Sequence, residues 1–160
     1  MLNITVLCVG KLKESFYIAA VREYEKRLKG YCKLTLLELP EEKLPNAPSQ
    51  AQIDAALEKE SQAIFAKLPK RATLVALCIE GKELSSEQLA QKFQQWATSG
   101  VSAIALVIGS SYGLHLSVKG QAALRLSMSP MTFPHHLARV MLLEQVYRAF
   151  KINEGSLYHK

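Results

Sequence analysis

The feature that most constrains the fold is an uninterrupted apolar run from Ile104 to Ile108, which ends at the glycine-bracketed turn Gly109–Gly113. Such a run is typical of a strand that is buried on both faces, as in a parallel sheet. A second irregular segment, Ser129–Pro134, precedes an apolar helix predicted over 137–150. Two loops this close to a buried strand predict two walls of one pocket.

The rest of the chain alternates between the two kinds of secondary structure. Apolar and β-branched runs predict strands over 3–9, 33–39, 73–79 and 102–108, with a short fifth strand over 126–129. Helices are expected to start at Ser15, Ser49 and Ser85, after Gly113, and at Leu137. This order predicts one α/β domain over residues 1–160 with a largely parallel sheet.

Charge is uneven along the chain, whose net charge is +6. Residues 104–160 carry six Lys/Arg against two Asp/Glu, so +4 of that total. A basic surface would attract a polyanion such as RNA, although a mildly basic enzyme with a small substrate fits the charge equally well. No apolar run approaches the roughly 20 residues of a membrane span, and the N-terminus lacks a secretory pattern, so a cytoplasmic protein is expected.

Neither the cysteines nor the histidines are spaced as metal ligands. The cysteines form no CxxC pair, which favours free, buried thiols; they are Cys8, Cys32 and Cys78. His135 and His136 would diverge on a helix, and His115 has no Cys or carboxylate near it in sequence, so no metal is expected. Helix capping or packing is as good an explanation of His135 as a role at an active site.

The phosphate-binding glycine motifs of α/β proteins are missing from this chain. A ligand without phosphates, such as a cofactor built from adenosine and methionine, needs only an apolar slot and backbone groups. The loop Met128–Phe133 could supply both, and it follows a strand at the carboxyl edge of the sheet, where ligands bind. An ordinary turn with two prolines remains open.

The turn Gly109–Gly113 also matches the GxSxG motif of hydrolases, with Ser111 as the nucleophile. Glu144 and His159 follow in the order of a catalytic triad. Against this, pairing with Arg148 at i+4 explains Glu144 better, and His159 is next to the chain end. The tail from Gly155 offers groups that stack, move protons and meet phosphates, but composition alone slightly favours a frayed chain end.

Several segments of the chain resemble the large-subunit methyltransferase H family of the SPOUT (α/β-knot) class. They are ITVLCVGKLKE, LCIEGKELSSEQLA, VIGSSYGLH, MTFPHHLARVMLLEQVYRAFKI and the final YHK. The family methylates N3 of a pseudouridine in 23S ribosomal RNA. The chain departs from its pattern at Ser110, where a second glycine is common.

This resemblance implies a five- to six-stranded, mostly parallel sheet flanked by helices, with a C-terminal trefoil knot formed by about residues 73–152. It implies a homodimer that packs through the knot and the last helix, and assembled ribosomes as the substrate. It also implies S-adenosylmethionine as the cofactor. The implied cofactor contacts are Leu77, Gly109, Met128, Ser129, Pro130, Met131, Thr132 and Phe133.

Methyl transfer to N3 requires an aligned approach of the reacting atoms and removal of the N3 proton. Arg139 is our candidate for stabilising a phosphate or carbonyl. Tyr158 and His159 are candidates for positioning the target base and handling the proton, with His135 as a further candidate. A non-catalytic ribosome-binding protein is the remaining alternative.

Overall fold

The computed structural model describes residues 1–160 and alternates five strands with five helices. The strands are β1 (Leu2–Val9), β2 (Cys32–Leu39), β3 (Thr73–Glu83), β4 (Ala103–Ile108) and β5 (Leu124–Ser127). The helices are α1 (Ser15–Leu28), α2 (Gln50–Lys67), α3 (Ser86–Thr98), α4 (Leu116–Gln121) and α5 (His135–Asn153). The predicted α/β class is confirmed.

All strand pairs are parallel, and the strand order across the sheet is β2-β1-β4-β3-β5. The apolar run of β4 lies between β1 and β3, as a strand without polar residues requires. Parallel strands end at the same edge of a sheet, so the segments that follow β4, β3 and β5 are neighbours. The fold therefore brings together both loops that were expected to form a pocket.

Each face of the sheet carries its own apolar core. On one face, α1, α3 and α5 contribute Val21, Phe93 and Leu142. On the other face, α2 and α4 contribute Ile64 and Val118. Fully burying a side chain of this size stabilises the fold by roughly 1.5–3 kcal/mol. Helix α5 also packs against both α1 and α3, which explains why its sequence is apolar nearly all round.

Two predicted helix starts are confirmed in detail and a third is wrong. Ser49 and Ser85 each cap a helix, and each forms a reciprocal capping box with the glutamine three residues on. Ser15, by contrast, is already helical. Glu14 occupies the N-cap position of α1 and makes no side-chain cap.

Other boundaries differ from the prediction by a few residues. Helix α5 starts at His135 and continues to Asn153, because polar residues extend both of its ends beyond the apolar stretch. Strand β5 starts at Leu124. Strand β3 does not end at Ile79 but continues to Glu83, because it bulges and then pairs again with β5.

The cysteines are free, but they differ in burial. Cys8 and Cys32 are buried, and burial raises the pKa of each thiol to about 11. The expected burial is wrong for Cys78, which is half-buried because the bulge of β3 places it at a cavity. No cluster of three or more His, Cys, Asp or Glu side chains is arranged to hold a metal ion. None of the five helices has the length and apolar character of a membrane span.

Candidate functional site

A cavity of about 390 Å³ lies at the carboxyl edge of the sheet, beyond the ends of β3, β4 and β5. Its volume is within the range of roughly 300–1,000 Å³ that is usual for small-molecule sites. All but one of the residues implied as cofactor contacts line it; the exception is Pro130. Those that line it are Leu77, Gly109, Met128, Ser129, Met131, Thr132 and Phe133.

The first wall is a bulge in β3. Leu77 and Lys82 both pair with Leu126 of β5, so the four residues between them are displaced from the ladder. Three of the four line the cavity, from Cys78 to Glu80. The fourth, Gly81, lies against β5 so closely that a Cβ atom there would be 2.8 Å from the backbone of Arg125. Only glycine allows the bulge to resume pairing at this point.

The second wall is the turn Gly109–Gly113. A Cβ atom on Gly109 would lie 2.2 Å from the carbonyl oxygen of Gly113, which in turn has a φ of +89°. The turn is closed by the Gly113 N–H, which donates to the Ser110 carbonyl at 2.9 Å. Ser110 does not have a left-handed backbone, so serine at this position brings no strain of that kind.

The third wall is the loop 128–133, whose backbone is nearly free of internal hydrogen bonds. No backbone–backbone bond involves these residues. The Met131 N–H donates to the Ser129 hydroxyl, and the Ser129 carbonyl accepts from the Ser127 hydroxyl. The other N–H and C=O groups of the loop have no partner within the protein. Because backbone groups form strong hydrogen bonds, they are available to bind a ligand.

Few charged groups line the cavity. Glu80 and Lys119 of its lining form an ion pair, and this contact holds the pKa of the Glu80 carboxyl below its usual value. His135 is half-buried. Burial lowers the pKa of its imidazole, and the neighbouring His136 lowers it further. Its imidazole is therefore neutral at pH 7. Its ring nitrogens also lack the intramolecular bonds that engage the rings of His115 and His159.

Arg139 is 3% exposed and is not part of the cavity lining. Its guanidinium donates to Glu38 of β2 at 2.6 Å and to the Gly10 carbonyl at 3.0 Å. Burial raises the pKa of Glu38, but the bonds from Arg139 and from the Leu12 N–H outweigh this and lower it overall. In this chain Arg139 thus ties α5 to the turn after β1.

The tail is docked rather than frayed. The Tyr158 hydroxyl donates to Glu144 at 2.9 Å, and its ring lies 4.7 Å from the Arg148 guanidinium. His159 lies 2.7 Å from Glu87 of α3 and 3.2 Å from Arg148. These contacts hold the tail on α5 and α3, and neither Tyr158 nor His159 lines the cavity of its own chain.

The hydrolase triad does not assemble. The Ser111 hydroxyl donates to the Glu41 carboxylate at 3.0 Å and not to an imidazole. Glu144 is paired with Arg148 at 2.7 Å, as its i+4 spacing predicted, and His159 is paired with Glu87. The GxSxG match is therefore a coincidence of the turn, whose glycines are explained by its geometry.

Sequence reasoning missed two acidic residues behind the Gly109–Gly113 turn. Glu41 accepts from Ser111, and Glu60 of α2 accepts from the Ser110 hydroxyl at 2.9 Å. Glu60 had a signal that could have been used. It lies seven residues after Ile53 and four before Ile64, on the apolar stripe of its helix, where a carboxylate needs a buried partner.

The sequence matches over residues 2–159 a protein-family model described as "Predicted SPOUT methyltransferase". Among solved structures, the fold is similar to that of a probable methylase family protein from Haemophilus influenzae Rd KW20. That similarity has a TM-score of 0.55 and 13% sequence identity, and it covers 99% of this chain and 71% of the other. It shows the fold.

A second similar structure is the SpoU methyltransferase AviRb from Streptomyces viridochromogenes, with a TM-score of 0.48 and 13% identity over 96% of this chain. AviRb has also been solved in complex with AdoMet, with a TM-score of 0.47, 13% identity and 96% coverage. The chain spans 61% and 59% of the length of these two AviRb structures. Since the family model covers nearly the whole sequence, the protein belongs to the SPOUT methyltransferase family.

Proposed function

We propose that the protein transfers a methyl group from S-adenosylmethionine to N3 of a pseudouridine in 23S ribosomal RNA of assembled ribosomes. Family membership supports the reaction class, and the motif resemblance supports the substrate. The observation that carries the proposal is the cavity at the carboxyl edge, where the loop 128–133 presents unpaired backbone groups beside an apolar surface.

The cavity fits such a cofactor in size and in chemistry. Leu77, Ile108 and Leu126 offer an apolar surface for an adenine ring, and the backbone of 128–133 can read its polar edge. The cofactor supplies the methyl group. No glycine-rich phosphate cradle lies in the cavity, and none is needed for a ligand without phosphates.

Proton removal from N3 is assigned to His135. Its imidazole lines the cavity and is neutral at pH 7, so one of its two ring nitrogens has a free lone pair that can accept the proton. Glu80 and Lys119 are bound to each other in an ion pair, so neither group is as well placed as His135 to accept the proton. Positioning of the target then supplies the rest of the rate enhancement.

Tyr158 and His159 retain their proposed role in holding the target base. Because neither lines the cavity of its own chain, a homodimer that packs through α5 is needed to bring the tail of one copy to the other copy's cavity. Half-buried apolar side chains on α5, such as Val140 and Met141, are consistent with a partner on that helix. Arg139 supports the site through the turn after β1, and a direct contact with phosphate or carbonyl stays a prediction.

The remaining proposals concern the chain as a whole. We propose one domain over residues 1–160, in which about 73–152 form a trefoil knot; the order β4-β3-β5, closed by α5, supports this path. The basic surplus of residues 104–160 supports contact with ribosomal RNA. A cytoplasmic location, expected from the sequence, stays a prediction.

The test is mass spectrometry of 23S RNA after ribosomes from a strain lacking this protein are incubated with enzyme and cofactor. A gain of one methyl group on a single pseudouridine is expected. Ribosomes that carry uridine at that position are the matched control and should remain unmethylated. Ribosome co-sedimentation without methyl gain would instead support the non-catalytic binding protein.

A further inference from the structure

The Gly109–Gly113 turn separates two cavities. On one side lies the candidate cofactor cavity, and on the other lies a smaller cavity of about 200 Å³. Ser110, Ser111 and Tyr112 line both. The turn is therefore a wall only one residue layer thick, and its position sets the width of the cofactor cavity.

Glu60 holds this wall from behind. One carboxylate oxygen accepts from the Ser110 hydroxyl at 2.9 Å, and the other accepts from the Glu42 N–H at 3.1 Å. Glu60 is 4% exposed and forms no ion pair, while Glu41 and Glu42 lie nearby as further acids. A buried carboxylate in these surroundings depends on its two donors, so the Ser110 bond is strongly held.

The Gly109–Gly113 turn has little freedom to move independently of the Ser110–Glu60 bond. Gly109 already lies against Gly113 with no room for a Cβ atom, and Ser111 is tied to Glu41 at 3.0 Å. A shift of Ser110 must therefore be passed to Gly109, which lines the cofactor cavity. Only a side chain with a hydrogen-bond donor, such as the Ser110 hydroxyl, can make this link to Glu60.

We propose that Glu60 is a positioning residue for cofactor binding, which acts through the Ser110 hydroxyl on the wall at Gly109. The inference rests on the proposed function, in which this cavity binds S-adenosylmethionine. Glu60 itself touches neither the cofactor nor the reacting atoms, since it does not line that cavity.

Calorimetric titration with S-adenosylmethionine tests the link in Ser110→Ala, Glu60→Ala and the double variant. Each single change should raise the dissociation constant about tenfold, and the double change should raise it no further, because each single change already breaks the Ser110–Glu60 bond that positions the wall. Glu58→Gln, on the exposed face of the same helix, is the control and should bind as the wild type does.

If Glu60→Ala does not fold, Glu60→Gln replaces it. Its amide oxygen can still accept from Ser110, so it should bind more tightly than Ser110→Ala. Steady-state kinetics give a second readout: the KM for the cofactor should rise while kcat at saturation stays unchanged, whereas general loss of structure would lower kcat.

Unchanged affinity in folded Ser110→Ala overturns the inference, and so do effects of Ser110→Ala and Glu60→Ala that multiply in the double variant. Either result leaves the proposed function standing, provided that the wild type binds the cofactor. A folded wild type that does not bind S-adenosylmethionine overturns both.

Discussion

The guanidinium of Arg139 and the carboxylate of Glu38 lie 2.6 Å apart and join the last helix to the edge strand β2. The same guanidinium reaches the Gly10 carbonyl at 3.0 Å. It thereby fixes the turn after β1 beside His135, whose Nε2 atom would lie 3.0 Å from a Cβ atom on Gly10. An arginine outside the cavity thus shapes the surroundings of the proposed base.

Replacing Arg139 by methionine should lower the free energy of unfolding by about 2–3 kcal/mol, because it leaves the Gly10 carbonyl without its side-chain donor and Glu38 with only the Leu12 N–H. Urea denaturation measures the change. Arg22→Met, at an exposed position of α1, is the control and should stay within about 0.5 kcal/mol of the wild type. If the variant is as stable as the wild type but has lost methyl transfer, Arg139 would instead act directly on the substrate, as the sequence predicted.

Adding a methyl group at Gly109 should damage the cofactor cavity, since the new Cβ would lie 2.2 Å from the Gly113 carbonyl oxygen. We expect Gly109→Ala to weaken S-adenosylmethionine binding about tenfold or more, as measured by calorimetry. Gly120→Ala in α4 is the matched control, because nothing lies within 4 Å of its Cβ position. It should bind normally and gain about 0.5–1 kcal/mol of stability.

Deleting residues 158–160 should leave cofactor affinity nearly intact and abolish methyl transfer. The tail lies outside the cavity of its own chain but carries the groups proposed to hold the target base. Calorimetry and incorporation of labelled methyl groups measure the two properties. Removal of Lys160 alone is the control. Parallel loss of binding and transfer would show that the tail's bonds to Glu87 and Glu144 are only structural.

Methyl transfer should depend on pH through His135. Because burial lowers its pKa below the ordinary 6.5, the neutral, accepting form should persist at pH 6.5, and the rate should fall only at lower pH. Between the lowered pKa of His135 in the folded chain and its ordinary value in the unfolded chain, the unfolded chain binds more protons than the folded one. The contribution of His135 to stability therefore rises with pH in this range. His135→Gln should abolish this step in the pH–rate profile. An unchanged profile in that variant would assign the base elsewhere.

Most of the framework could be predicted from local patterns. The run Ile104–Ile108 indicated a buried parallel strand, and Ser49 and Ser85 marked two helix starts. These features depend on residues that are close in sequence. The position of the cavity also followed, because all parallel strands end at one edge.

The remaining features depend on contacts between distant residues. Glu80 and Gly81 looked like the end of a strand, because the renewed pairing of Lys82 with Leu126 cannot be seen locally. The tail looked frayed because its partner Glu87 lies 72 residues away. Glu60 was missed for the same reason, although a carboxylate on an apolar stripe was a sufficient warning.

The position of β1 between β2 and β4 in the sheet has a consequence for folding kinetics. Its partner across the sheet is β4, so that Ile4 meets Ile104 and the pairing must close a loop of about one hundred residues. Closing that loop costs conformational entropy before the buried strand contacts form and offset it. Because contacts between residues so distant in sequence carry this cost, they slow folding. We therefore expect β2, which pairs with β1 through the short α1 connection, to dock first, and the slow step to be the arrival of β4.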